Sequence, residues 1–190
     1  MKYDRVHISD QAVPRARVPA FQHLVDTYAS ETNKTASVWC MFTAADLVWR
    51  PHPRSSTVEE IMNHQLLSER RFFGEFLGSP EPAAAEVLPA EQTIEGYTLR
   101  LVALACARLS WLSTLGEEEW LQTTNFFDVQ RERIWVFWRR VLHSAHHRTQ
   151  LTVYLRLLNR TVPPTYGPTA DVTWRGADPT LTAEAAERRG

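Results

Sequence analysis

Residues 142–148 read Leu142-His143-Ser144-Ala145-His146-His147-Arg148, and the way they sit on a helix decides how the rest of the chain is read. An α-helix turns about 100° per residue, so positions 143 and 147 lie about 40° apart and one turn along. With His143 at zero, Val136 and Tyr154 fall at about 20°, Leu157 at about −40° and Leu158 at about 60°. Gln150 falls at about −20°. His143 and His147 therefore share a strip with large apolar residues, and that strip faces an interior. His146, beside Leu142 and Val153, reads as a core or edge histidine. The helix that carries this stretch is expected from about Val129 to Asn159 and is the longest in the chain.

Three further helices follow from the sequence before it. From Pro19 to Met41 the apolar positions Phe21, Leu24, Val25, Tyr28, Val38 and Met41 recur at three and four, the helical period, and a proline is tolerated in a first helical turn. Trp49-Arg50-Pro51-His52-Pro53 breaks that run, because two prolines cannot sustain helical hydrogen bonding. Ser56 with Glu59 three residues on is a capping-box signature, so a second helix is expected over Thr57–Leu77, ended by Gly78-Ser79-Pro80. A Pro-, Ala- and Glu-rich connection over residues 79–92 leads to a third helix over Thr93–Leu115, with Gly116 as its expected C-terminal cap. Residues 117–128 read as a loop or a short strand pair. Four long helices without a confident strand run imply an all-α four-helix bundle. Residues 1–175 are expected to form one domain, with 176–190 as a polar, flexible tail.

Composition bounds the function. The 190 residues carry 21 basic and 22 acidic side chains, a net charge of −1. A duplex-binding domain usually shows a basic excess on one face to neutralise phosphates, so no nucleic-acid partner is expected. No window reaches the roughly 18 apolar residues that span a bilayer, and Met1–Ala12 has no apolar signal-peptide core. A cytoplasmic protein with no membrane partner is expected. Cys40 and Cys106 lie in apolar stretches without CxxC spacing and read as buried free thiols.

Seven histidines are present. Two imidazoles at i and i+4 on one helical face can close on one metal ion, as in the HExxH proteases. The glutamate of that motif is absent here, because Ser144 follows His143. The alternative is a pair of core histidines satisfied by hydrogen bonds, one of them to Gln150 or Tyr154. A third ligand must come from another helix. His64, in mid-helix at the edge of the apolar arc Val58, Ile61, Met62, Phe72, Phe73 and Phe76, is the best placed. Read structurally it is an ordinary half-exposed helix histidine. Read functionally it is a ligand at the rim of a polar cleft, supported by Glu60 or Ser68.

An ordered set of residues resembles the DinB/YfiT-like metalloprotein superfamily. The set comprises the Trp49-Arg50-Pro51 break, then His64 followed by Leu67 and Glu69. After these come His143 to His147 with Arg148, Gln150 and Leu151, and the ending Val162-Pro163-Pro164-Thr165-Tyr166-Gly167. The resemblance covers the chain from the first helix through residue 170. It implies an up-down-down-up four-helix bundle, often dimeric, and a divalent metal held by His64, His143 and His147. Three imidazoles leave coordination positions open, as in catalytic rather than structural sites, and nitrogen ligands suit zinc, nickel or iron alike.

Several members of the superfamily use the metal to activate a low-molecular-weight thiol, which attacks an electrophile. The leading expectation is thus a metal-dependent thiol S-transferase with a small-molecule substrate, in which Arg71, Arg139 or Tyr154 could face the substrate. The alternatives are a metal-dependent hydrolase, for which Glu60 is the available carboxylate base, and a non-catalytic stress-related metal-binding protein. Ile134, Trp138, Val141 and Leu155 form a second apolar stripe on the last helix. It is covered either by residues 160–175 or by the partner in a homodimer, and the homodimer is the expectation.

Overall fold

The computed structural model describes residues 7–172, so the expected tail at 176–190 lies outside the described residues. The chain is mostly helical. Helix α1 (Gln22–Trp39) is entered through a 3-10 turn, Pro19–Phe21, with the proline at its first position. Helix α2 (Val58–Arg71) continues into a π-helical turn over Phe72–Leu77, closed by Gly78 in the left-handed conformation at φ 81°. Helix α3 spans Ile94–Leu112. A short helix α4 (Glu117–Leu121) leads into an antiparallel hairpin of β1 (Thr123–Phe126) and β2 (Val129–Glu132), and α5 runs over Arg133–Leu157.

Several expectations shift. The capping box of α2 lies one residue later than the Ser56–Glu59 reading. Thr57 Oγ1 accepts from the Glu60 N–H at 3.1 Å while the Glu60 carboxylate accepts from the Thr57 N–H at 2.8 Å. The last helix begins at Arg133 rather than Val129, because residues 129–132 pair with 123–126. The loop-or-strand stretch 117–128 resolves into α4 and the first strand, pinned by the buried Trp120. Gly116 does not cap α3; it stands extended before α4. Both cysteines are free, but Cys106 is exposed rather than buried and Cys40 is intermediate.

Helix α1 packs against α3 and α5, and α2 packs against α5. The apolar core falls into two clusters. One gathers Leu24, Val25 and Tyr28 of α1, Phe73 of the π turn, Leu109 of α3, Trp120, and Val136 and Phe137 of α5. The other gathers Trp39, Met62, Leu66, Tyr97, Leu101, Leu151 and Leu155. The stripe proposed to face a partner is instead part of this interior. Val141 and Leu155 are buried, and Ile134 and Trp138 are half-buried against the first cluster. Helix α5 exposes a different set, Trp135, Leu142, Val153 and Leu157. No helix among the described residues is long and apolar enough to cross a membrane.

Between helices lies a set of buried charges. Glu69 accepts from the Tyr28 hydroxyl at 2.7 Å and from Arg140 Nη2 at 3.4 Å, and faces Arg108 Nη1 at 3.6 Å. Arg108 in turn makes a two-pronged pair with Glu81 at 2.8 and 2.7 Å. A second group joins Glu31 of α1 to Arg148 of α5 at 2.8 Å and to the Tyr166 hydroxyl at 2.7 Å, which ties down the segment after α5. Burial opposes ionisation of Glu69, but Arg140 and Arg108 outweigh it and hold its carboxyl below the ordinary 4.5. Burial likewise opposes ionisation of Glu31, and Arg148 and Lys34 prevail.

A carboxyl depressed on folding contributes stability that is complete above its unfolded value and is lost as pH falls through its folded value. The part of acid unfolding that these carboxylates cause, monitored by circular dichroism, should therefore appear below about pH 4.5, and the Glu69 share should be missing from Glu69→Gln. Glu69→Gln leaves Arg108 and Arg140 short of a counter-charge and is expected to cost about 3–5 kcal/mol in urea denaturation, as for other broken buried pairs. Glu75→Gln, at a surface pair with Arg71, should cost about 0–1 kcal/mol. Equal effects of the two substitutions would contradict the buried-charge assignment.

Candidate metal centre

Helix α2 supplies His64 and α5 supplies His143 and His147, so the contact between these two helices forms the site. His64 is exposed at the rim, while His143 and His147 are half-buried. Their Nε2 atoms converge. His147 Nε2 lies 3.3 Å from His143 Nε2, and His64 Nε2 lies 3.5 Å from it. One ring nitrogen from each lies within 4.8 Å of the others, and no carboxylate or thiol among the described residues joins the group at that spacing. A tetrahedral ion about 2.0–2.1 Å from each nitrogen sets ligand nitrogens about 3.3–3.4 Å apart. The two spacings to His143 match that value closely, and the three side chains could together hold a divalent ion. His146 is exposed and rests edge-on against the His147 ring.

The partners on the other side of each ring fix the proton positions. Arg140 Nη1 lies 2.8 Å from His143 Nδ1. A guanidinium can only donate, so that nitrogen accepts and the imidazole proton sits on Nε2. His147 Nδ1 lies 2.7 Å from Gln150 Oε1, an acceptor, so Nδ1 donates and Nε2 keeps its lone pair. Metal-free, the rings thus form a hydrogen-bonded chain from Arg140 through His143 and His147 to Gln150. An ion held through His143 Nε2 needs the lone pair of that nitrogen, so the ring proton would have to move to Nδ1 and the Arg140 contact there would have to give way.

Arg140 is itself held from several sides. Nη1 donates to Ser68 Oγ at 2.7 Å, and Nη2 donates to the Gln65 carbonyl at 3.1 Å and to Glu69. The Phe72 ring stacks near His143 at 6.0 Å between centroids and 24° between planes, with the Arg140 guanidinium over it at 5.6 Å. That ring opens the π-helical turn, a distortion frequent at functional sites. Burial, Arg140 and the neighbouring His147 and His64 push the His143 pKa down to about 3. His64 is lowered by burial and Arg140. His147 is lowered by burial, against the opposing hydrogen bond of Gln150. All three rings are therefore neutral at pH 7, the state that ligates a metal.

Of the supporting residues expected from the sequence, Gln150 bonds His147, whereas Tyr154 donates to the Ser56 carbonyl at 3.0 Å. Ser68 acts through Arg140. Glu60 is committed elsewhere, to the Thr57 N–H and to Arg50 at 3.6 Å. Arg71 pairs with Glu75 and lies over the Phe127 ring, and Arg139 contributes only charge to the lowering of His143. The sequence reading missed Arg140. Its place about one turn before a candidate ligand on the same helix does not by itself set it apart from Arg139 or Arg148.

Three imidazoles converging from two packed helices define a helical protein with a candidate mononuclear site. The chain belongs to the DinB family, whose model matches residues 16–176. Two crystal structures resemble it. A DinB-like protein from Bacillus cereus ATCC 10987 superposes with a TM-score of 0.65 at 19% identity, covering 75% of this chain and 95% of its own. A DinB-like protein (YjoA) from Bacillus subtilis superposes with a TM-score of 0.61 at 20% identity, covering 76% of this chain and 96% of its own. At these identities the likeness shows the fold alone. No curated protein matches the chain.

A base whose pKa falls on folding contributes stability that is full above its unfolded value and is lost as pH drops below it. In metal-free protein, the His64 and His147 ring protons followed by NMR should titrate below 6.5, the ordinary value. His143 should stay neutral to about pH 3. A His143 transition at or above 6.5 would contradict the placement of Arg140 against it.

Proposed function

We propose that this chain is a single DinB domain over residues 1–175, an up-down-down-up four-helix bundle of α1, α2, α3 and α5. We propose further that it holds one divalent ion, zinc, nickel or iron, through His64, His143 and His147 and transfers a low-molecular-weight thiol to an electrophile. The observation that carries this reading is the convergence of three imidazole Nε2 atoms beside an open cleft of about 350 Å³, which His64, His147, Gln150 and Tyr154 help to line. Three nitrogen ligands leave coordination positions free, and a cleft of this size admits a small molecule to them.

A divalent ion held there would lower the pKa of a thiol brought to it, so that thiolate is present at neutral pH. The protein's own residues supply the remainder. Gln150 fixes the tautomer of His147, burial and Arg140 together disfavour the charged form of His143, and Phe72 stacks near the His143 ring. In the overall reaction a thiol S–H bond is exchanged for an S–C bond. The proton leaves with the displaced halide or protonates the opened epoxide oxygen.

A hydrolytic reading lacks its base, since Glu60 is engaged by Thr57 and Arg50 and no other carboxylate among the described residues joins the histidines. The homodimer remains a proposal that rests on the family resemblance alone, now that the stripe offered for it is interior.

Zinc- or nickel-loaded protein given glutathione or bacillithiol with 1-chloro-2,4-dinitrobenzene should form the thioether adduct. Chelator-treated protein and His143→Ala should lose about 100-fold or more of that rate, within the usual range for removing a group that acts on the nucleophile's proton, about 10²–10⁴-fold. Turnover without added thiol would favour hydrolysis instead, and adduct formation indifferent to metal would contradict the proposal.

A further inference from the structure

The cleft beside the three histidines has a charge pattern that the thiol reading leaves unused. Its walls include Arg54, Ser55, Ser56 and Gln150 together with His64 and His147, and no acidic side chain lines it. Arg54 is exposed in the turn between the prolines and α2. Its backbone N–H donates to His52 Nδ1 at 3.1 Å, but no carboxylate among the described residues lies within ion-pair distance of its guanidinium. Several other exposed or half-exposed arginines are committed. Arg50 pairs with Glu60, Arg70 and Arg71 with Glu75, and Arg156 with Asp171. The chain as a whole is slightly acidic, at −1, so a cleft lined by an arginine and two imidazoles, with no acidic side chain, is a local exception.

We propose that Arg54 is an anion-binding residue of this cleft and that it receives a carboxylate carried by the thiol. The guanidinium supplies a forked pair of donors matched to a carboxylate. The Ser55 and Ser56 hydroxyls and the Gln150 amide, whose oxygen is taken by His147, add neutral donors along the same wall. A ligand with sulfur at one end and a carboxylate at the other then spans the cleft from the histidines to Arg54. This rests on the metal-and-thiol reading above and narrows it, since neutral thiols of equal size are excluded as preferred partners.

The test uses full-length protein loaded with cobalt(II), whose visible spectrum reports ligand entry. Cobalt content is measured first in wild type and in Arg54→Ala; it should be equal, because Arg54 is not a ligand. Each protein is then titrated at low salt with 3-mercaptopropionate and with its neutral amide, 3-mercaptopropionamide. Wild type should bind the acid about five- to tenfold more tightly than the amide, a range set by one partly exposed charge-assisted contact. Arg54→Ala should lose most of that preference, and Arg54→Lys should keep part of it. Equal binding of acid and amide by wild type, or a preference that survives Arg54→Ala, would overturn the Arg54 assignment while leaving the metal site intact. Propionate supplied alongside 2-mercaptoethanol separates the other source of a carboxylate. If free propionate perturbs the spectrum through Arg54 while the tethered acid gains nothing, the carboxylate belongs to the electrophile and the proposal as made is overturned. Failure of wild type to take up cobalt would instead refute the metal reading on which this one depends.

Discussion

The site depends on one buried ion pair, Glu69 of α2 with Arg140 of α5. A charge on each of two packed helices is costly to bury unless it is matched, and here the match also sets the register between the helices that carry His64 and His143. The Glu69 carboxylate, the Ser68 hydroxyl and the Gln65 carbonyl hold the Arg140 guanidinium in place, and its free edge rests against His143 Nδ1. Such an arrangement does two things at once. It joins α2 to α5 through a directional contact, and it places a fixed positive charge beside a histidine that must stay neutral. Arg108, Tyr28 and Glu81 extend the same network to α1, α3 and the connection before α3. The geometry of the three imidazoles thus follows from a charge layer running across the helices rather than from the histidines' own contacts.

This second layer departs from the common pattern. A metal-ligating histidine usually donates its outer N–H to a carboxylate or carbonyl, which raises its basicity. His147 follows that pattern with Gln150. His143 faces a donor instead, so the protein supports it with a cation and depresses its basicity. Two candidate ligands on one helix thus meet opposite partners, although burial lowers the pKa of both.

Much of the fold was legible because the helices announce themselves by period and by breakers. The strip at 143, 147, 154 and 158 was found from the 3.6-residue repeat, and the Pro51–Pro53 break and Gly78 stop fell where chain geometry demands them. The misreadings share a cause. Residues 129–132 carry no helix-breaking residue, so nothing local told them from the helix that follows; only pairing with 123–126 makes them a strand. The stripe Ile134, Trp138, Val141 and Leu155 was visible as apolar, but one sequence cannot say which neighbours cover it, and the two core clusters of the same chain do. The histidine set was readable as spacing, whereas its convergence needed two helices in register. Arg140 was hidden because a buried arginine looks like any surface arginine until its carboxylate partner, 71 positions away in sequence, is brought beside it.

The most direct check is the metal content of purified wild-type protein beside a His143→Ala, His147→Ala double variant, determined by elemental analysis after incubation with zinc or nickel and removal of unbound ion. One divalent ion per wild-type chain, absent from a folded double variant, is the expected result. Wild-type protein that retains no ion would mean that the three imidazoles are a hydrogen-bonded core cluster running from Arg140 to Gln150, and that metal-dependent chemistry does not occur at this site.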